Sequence, residues 1–254
     1  MRQAGLLVWE TFQTVIAPRI RPGVSTAEID AAVTQQFAAH HAEPLFLHFP
    51  NATAGGPPFP AVTCISLNAE VVHGIPSPRR KLAEGDIVSI DTGCKLNGWC
   101  GDAAVTYAVG TIDPLKQKLL KVTQGVLLLA IDLMGKKSWW NEVAAEMEKF
   151  VRGHKFSVVE DFVGHSIGRE MHEDLQVPNY VPRRAPRNPD FRLEEGLVIA
   201  LEPMVNIGSK AVRTLADGWT VVTKDKKPSA HFEHTVAITS SGPMVLTAGP
   251  NGEL

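Results

Sequence analysis

Two eight-residue segments, Glu84-Gly85-Asp86-Ile87-Val88-Ser89-Ile90-Asp91 and Glu195-Gly196-Leu197-Val198-Ile199-Ala200-Leu201-Glu202, read as one device used twice. In each, a glycine is followed six residues later by a carboxylate that closes an apolar strand. Each is also preceded by a pair of helical patterns. In the front half Leu6, Leu7, Phe12, Val15 and Ile16 fall near one helical face up to about Pro18. Pro22-Gly23 then breaks the pattern, Ser25 and Thr26 cap a restart, and Ile29, Ala32, Val33 and Phe37 form a second stripe. After residue 115 the order recurs: Leu119, Leu120 and Leu127 to Leu129, a break at Gly135, then Val143, Met147, Phe150 and Val151. A chain built this way is expected to be of mixed α/β (α+β) class. Two related halves, roughly 1–110 and 111–254, would bring their acidic strand ends to a shared centre. No Gly/Ser-rich or Pro-rich linker divides them, so one domain over 1–254 is expected.

Composition narrows the classes. With 254 residues, 44% hydrophobic and 20% charged, the chain can bury a sizeable core, and nothing suggests disorder or a fibre. A net charge of -2 gives no global pull toward nucleic acid or anionic membranes, so no sequence-specific nucleic-acid binding is expected. Cys64, Cys94 and Cys100 are too few and too irregular for a disulfide framework or a Cys-rich zinc site. Leu6 to Trp9 is too short for a signal-peptide core. Val126 to Met134 is interrupted by Asp132 and falls short of the roughly 20 residues a membrane span needs. These features predict a soluble, cytoplasmic protein without membrane association, expected as a monomer.

The chemistry is in the acids. Asn97-Gly98 is a hairpin signal between the strand ending near Asp91 and a second strand from Ala103 to Val109. A turn centred there sets Ala104 opposite Asp91, so Asp102 shares the face of Asp91 as a diagonal neighbour, roughly 7 Å away. Glu202 closes the second apolar strand, and Glu233 lies in a further strand from His231 to Ile238. Clustered carboxylates on central strands repel one another and stay protonated unless a cation compensates them. His165 could add a nitrogen ligand. The set Asp91, Asp102, His165, Glu202 and Glu233 is oxygen-rich and suits Mn(II), Fe(II) or Co(II) at least as well as zinc. Four carboxylates suggest two divalent ions, and two ions that share and acidify a water make hydrolysis the natural reaction.

In order along the chain, Cys64 to Asn68, Glu70 to Pro76, Asp86 to Asp102, Gly164 to Gly168, His172-Glu173, Leu201 to Val205, Asp217 to Thr220 and His231 to Thr235 resemble the type I methionine aminopeptidases. The resemblance runs from Met1 to about Thr247. It implies the pita-bread fold, two pseudo-symmetric α/β halves around a central antiparallel sheet, and removal of methionine from nascent polypeptides with a small second residue. By position it puts bridging ligands on Asp102 and Glu233, Asp91 in one metal site, and His165 with Glu202 in the other. A metal-bridging hydroxide would attack the scissile carbonyl and Glu202 would handle its proton. His172 would stabilise the oxyanion, and His73 would lie near the amide nitrogen. Phe59, Cys64, Met171 and Trp219 would line the methionine pocket.

The sequence departs from the family pattern at four positions. Thr53 and Gly56 stand where many relatives have bulkier pocket residues. Gly93 and Ala200 stand where many have threonine beside a ligand strand, which predicts retuned metal affinity. Two other enzyme readings compete. Gly164-His165-Ser166-Ile167-Gly168 also fits the G-x-S-x-G nucleophile elbow, with Asp217 and His231 or His234 following, but that elbow should open an apolar-faced helix and Arg169 to Asp174 is polar. An Xaa-Pro aminopeptidase or prolidase of the same fold is the nearer rival. A third reading, a non-enzymatic binding module, would require lost ligands. Finally, Arg183, Arg184, Arg187 and Arg192, with Lys224, Lys226 and Lys227, suggest a basic patch able to touch the ribosome.

Overall fold

The computed structural model describes residues 1–53, 55–183 and 190–253. The four expected helical stretches are present. Helix α1 (Arg2–Glu10) runs on through a π-helical stretch, Thr11–Ile16, and a single 3₁₀ turn, Ala17–Arg19. The change of winding has local causes. The hydroxyls of Thr11 and Thr14 donate to the carbonyls of Leu7 and Glu10, at 2.7 and 2.8 Å, and so compete for ladder acceptors, while Pro18 brings no N–H. Helix α2 (Thr26–Ala39) starts on a capping box in which Glu28 N–H donates to Ser25 Oγ and Ser25 N–H donates to Glu28. Helices α3 (Pro114–Met134), capped by Asp113, and α4 (Trp140–Gly153) repeat the arrangement in the second half.

The repeated glycine segments fold alike. Gly85 and Gly196 both have left-handed φ, 88° and 95°. Gly85 N–H bonds the Val109 carbonyl and Val109 N–H bonds Asp86; Gly196 N–H bonds the Ile238 carbonyl and Ile238 N–H bonds Leu197. The two halves therefore enter the sheet through matching turns.

That sheet is antiparallel and takes strands from both halves. Strand β1 (Cys64–Leu67) pairs with β2 (Ile87–Leu96), and β2 pairs with β3 (Trp99–Ala108) across the Asn97-Gly98 turn. Further along the chain come β4 (Gly164–Ser166), β5 (Val198–Leu201), β6 (Met204–Asn206), β7 (Ser229–His231) and β8 (Glu233–Thr239), of which β6 and β7 pair with each other in a separate three-stranded sheet. Across the middle of the sheet the order is β2-β3-β8-β5-β4. The stretch His231 to Ile238, expected as one strand, is split at Phe232. Its first part pairs with β6 and its second with β3 and β5. The helices cover the sheet in two apolar clusters. Ile29, Val33 and Phe37 pack with Ile90 in the first half; Trp140 and Met147 pack with Ile199 in the second.

The nucleophile-elbow reading does not survive. Ser166 ends a strand rather than a strand-to-helix turn, its Oγ accepts the Leu175 N–H at 3.1 Å, and no helix follows in Ile167 to Asp174. Asp217 instead builds a turn, its carboxylate accepting from the backbone of Trp219 and Thr220 and from the Thr220 hydroxyl.

Candidate metal centre and substrate cavity

Strand register decides which side chains meet. Asp91 pairs with Ala104 and with Cys64, and Ala104 pairs with Glu233. His234 pairs with Leu201, so the next position of the same register sets Glu202 beside Glu233. One row across the sheet thus reads Cys64, Asp91, Ala104, Glu233, Glu202. Two residues along, Gly93 pairs with Asp102, Thr235 with Ala200, and Ala200 with His165. Thr235 closes that second row by side chain, its Oγ1 accepting from Asp102 N–H at 3.0 Å and donating to the Asp102 carbonyl at 2.8 Å. Residues two apart on a strand share a face. Both rows therefore point to the same side, with the small residues Gly93, Ala104 and Ala200 leaving space between the acids.

All five expected ligands line one cavity of about 270 Å³, together with His73, His172, Phe59, Cys64, Met171 and Trp219. Ligand atoms of Asp102, His165 and Glu233 lie within 4.8 Å of one another. Glu202 Oε1 is 3.5 Å from His165 Nε2. The His165 Nδ1, 3.1 Å from the Ser166 carbonyl, is placed to donate there, which leaves Nε2 as the lone-pair nitrogen facing the acids.

This arrangement is costly without a cation. Asp91 Oδ1, Asp102 Oδ1 and Glu233 Oε1 are buried with no hydrogen-bond partner among the described residues. Burial, with mutual repulsion, pushes Asp91, Glu202 and Glu233 well above the usual carboxylate range, and burial raises Asp102 to about 7. Burial also drives His165 down to about 3, so it stands as a neutral imidazole. Unpartnered, desolvated oxygens facing a neutral imidazole are the donor set of a divalent metal site.

The other expected site residues form the walls. His73 is held at φ 59° between Val72 and Gly74, whose N–H donates to Ser66 Oγ, and burial lowers its pKa to about 4. His172 keeps an exposed edge, and desolvation lowers its pKa too. Its ring meets that of His165 edge-on at 4.2 Å. Trp219 donates through Nε1 to the Pro57 carbonyl and meets Phe59 edge-on at 5.2 Å. Burial beside Asp91 and Asp102 raises the Cys64 thiol well above its ordinary value, which keeps it neutral.

Sequence reasoning missed several wall residues. Phe46, Phe49, Val72, Phe162 and Met204 also line the cavity. Phe49 packs edge-on against His172 at 5.2 Å and Phe162 against His73 at 5.4 Å. Phe162, three residues before His165, lay close enough to a motif to be suspected; Phe46 and Phe49 sit in a loop without periodicity. Thr53 and Gly56, expected near the pocket, do not line it. Gly56 packs against Asn51 instead, where a Cβ would fall 2.6 Å from that side chain.

Gly93 stands directly beside the centre. A Cβ there would come 2.7 Å from Asp102 Oδ1 and 2.9 Å from the Gly101 carbonyl. Gly93→Thr is expected to displace the Asp102 carboxylate and lower metal affinity by about 10- to 100-fold in an isothermal titration. Ala200→Thr, in a fully buried position facing Thr235 and His165, is expected to weaken binding by overpacking. Unchanged affinity in both variants would refute the role given to these two positions.

A curled antiparallel sheet presenting four acids and one histidine on one face defines a hydrolytic metal site of the two-halved aminopeptidase type. The model of metallopeptidase family M24 matches residues 1–240, and the chain belongs to that family. It is 44% identical over 248 residues to a methionine aminopeptidase of Clostridium perfringens, covering 97% of this chain and 94% of that protein. To methionine aminopeptidase 1 of Bacillus subtilis it is 43% identical over 247 residues, with the same coverage. The crystal structure of a methionine aminopeptidase from Thermotoga maritima superposes with a TM-score of 0.88 at 39% identity, covering 97% of this chain and 94% of that one. A prolidase from Pyrococcus horikoshii shares the fold, with a TM-score of 0.74, but at 20% identity and over only 60% of its own length.

Proposed function

We propose that this chain is a methionine aminopeptidase, a metal-dependent hydrolase that removes the first residue of nascent polypeptides, with two divalent ions held by Asp91, Asp102, His165, Glu202 and Glu233. The observation that carries the reading is the set of buried carboxylate oxygens of Asp91, Asp102 and Glu233 that have no partner among the described residues. Two divalent cations match the four carboxylate charges, and the oxygen-rich set fits Mn(II), Fe(II) or Co(II) at least as well as Zn(II). When bound, the ions polarise the scissile carbonyl and supply a water acidified toward neutrality.

The side chains do the rest. Glu202, at the edge of the set and 3.5 Å from His165, takes the proton of the attacking water and passes it toward the leaving amine. His172, neutral and at the cavity wall, offers an N–H to the developing oxyanion. His73, also neutral, faces the amide nitrogen. Phe59, Cys64, Met171 and Trp219 enclose an unbranched thioether without presenting a charge to it, and sulfur against aromatic edges is a favourable contact. Phe162 against His73 and Phe49 against His172 crowd the flanks, which favours a small second residue.

The test is an anaerobic assay of metal-depleted protein on a Met-Ala-X peptide and an X-Pro peptide, with Mn(II), Fe(II), Co(II) and Zn(II) added in turn. Turnover of the first peptide alone is expected; preferential turnover of the second would move the chain to the prolidase branch. Ribosome contact enters this reading in reduced form. Arg183 and Arg192 pair with Glu148 and Glu194, and Arg184 and Arg187 lie outside the described residues. Cosedimentation with ribosomes that persists after charge reversal of Lys224, Lys226 and Lys227 would count against the patch. Among the described residues no helix is long and apolar enough to cross a membrane.

A further inference from the structure

The two central strands are related by a local two-fold about the Ala104 and Glu233 pair. Thr106 Oγ1 accepts from His231 N–H at 2.9 Å and donates to the His231 carbonyl at 2.6 Å. Thr235 Oγ1 treats the backbone of Asp102 in the same way, at 3.0 and 2.8 Å. Thr106 is thus the counterpart of Thr235, and His231 the counterpart of the ligand Asp102. The glycine turns give the same correspondence, because Val109 and Ile238 lie equally far beyond Asp102 and His231.

One half therefore carries a metal-ligand candidate where the other carries a histidine. His231 is only 1% exposed, and its Nε2 has no hydrogen-bond partner among the described residues. That nitrogen is 3.8 Å from Glu202 Oε2, while Glu202 Oε1 is turned toward His165. The Glu202 backbone is held separately, its carbonyl accepting from Asn179 Nδ2 at 3.2 Å, so its side chain can rotate without moving the strand. His231 does not itself line the cavity, so its nearest route to the centre is through Glu202. A buried N–H requires an acceptor, and a rotation of Glu202 brings the nearest carboxylate oxygen within hydrogen-bond range.

We propose that His231 is a positioning residue for Glu202: its Nε2–H donates to Glu202 Oε2 and fixes the carboxylate so that Oε1 faces the metal centre. The proposal rests on the assignment of Glu202 to metal binding and proton transfer. It predicts that a donor of similar reach serves at position 231 and an apolar side chain does not.

Three measurements test it. His231→Leu is expected to lower kcat and the affinity of metal-depleted protein for Mn(II) by about 10- to 100-fold with little change in KM, and His231→Gln to recover most of both. In a Glu202→Gln background, His231→Leu is expected to add little further loss, because its effect passes through the carboxylate. If His231→Leu does not fold, ¹⁵N-histidine NMR of the intact Zn(II)-loaded protein decides by itself, and His231 is expected as the Nε2–H tautomer. Parental kcat and Mn(II) affinity in His231→Leu, equal impairment of the Leu and Gln variants, or an unprotonated Nε2, as direct ligation would require, would each overturn the proposal. Full activity of Glu202→Gln would instead overturn the assignment of Glu202 itself.

Discussion

Stripping the metal ions with a chelator is expected to reduce activity on a Met-Ala-X peptide to background, with full recovery on adding back a suitable divalent ion and no inhibition by a serine-directed phosphonate. The pH dependence follows from the carboxylates. In the metal-free protein burial pushes the Asp102 carboxyl up to about 7, and burial with mutual repulsion holds Asp91, Glu202 and Glu233 well above the usual carboxylate range. Groups raised on folding stabilise the folded state fully below their unfolded pKa and lose that contribution as pH rises through the folded value. The buried His73, His165, His231 and His234 are lowered and act in the opposite sense up to about pH 6.5, so the acids are read above that range: metal-free protein should melt at a lower temperature at pH 8.5 than at pH 7. Binding of the ions requires these protons to leave, so affinity should rise over the same interval and titrations in buffers of different ionisation enthalpy should show proton release. Metal-free protein whose melting temperature is flat or rising between pH 7 and 8.5 would contradict this account of the acids.

The same acids show what a single sequence makes legible. The Asn97-Gly98 turn has a fixed two-residue geometry, so the pairing of Asp91 with Ala104 followed from counting, and the structure has that register. Gly85 and Gly196 were readable as equivalents because each precedes an apolar strand by the same interval, and their backbone bonds match. The pairing of β3 with β8 was not legible. It joins residues far apart in sequence, and its ends are closed by the Thr106 and Thr235 hydroxyls rather than by a regular ladder, a substitution that leaves no periodic trace. For the same reason the break at Phe232 was missed, and His231 was read as the start of a strand, as part of a family segment and as a member of a discarded triad, never as a neighbour of Glu202. Phe46 and Phe49 were invisible because loop residues reach a cavity through tertiary packing alone. Thr53 and Gly56, small where many relatives are bulkier, do not reach the cavity, which the neighbouring Ala52 lines.

Glu202→Gln and His172→Ala should separate proton transfer from oxyanion stabilisation. Gln retains one oxygen and the size of Glu202 but accepts no proton at neutral pH, so kcat is expected to fall by about 10²- to 10⁴-fold. Because Glu202 also belongs to the donor set, Mn(II) affinity should weaken in the same variant, and kcat is to be measured at saturating metal. His172 is not in the ligand cluster and meets His165 only through its ring edge. Its removal should lower kcat by about 10²- to 10³-fold, with KM and metal affinity nearly unchanged, since the oxyanion it serves exists only in the transition state. The His172 side chain also packs edge-on against Phe49, so His172→Gln, which keeps a donor and part of the volume, should lie between the parent and the alanine variant. Kinetics on a short Met-Ala peptide at saturating Mn(II), with titration calorimetry on each variant, distinguish the roles. A His172→Ala enzyme that loses metal in proportion to activity would place the histidine in the metal site, and a Glu202→Gln enzyme within tenfold of the parent would assign the proton to another group.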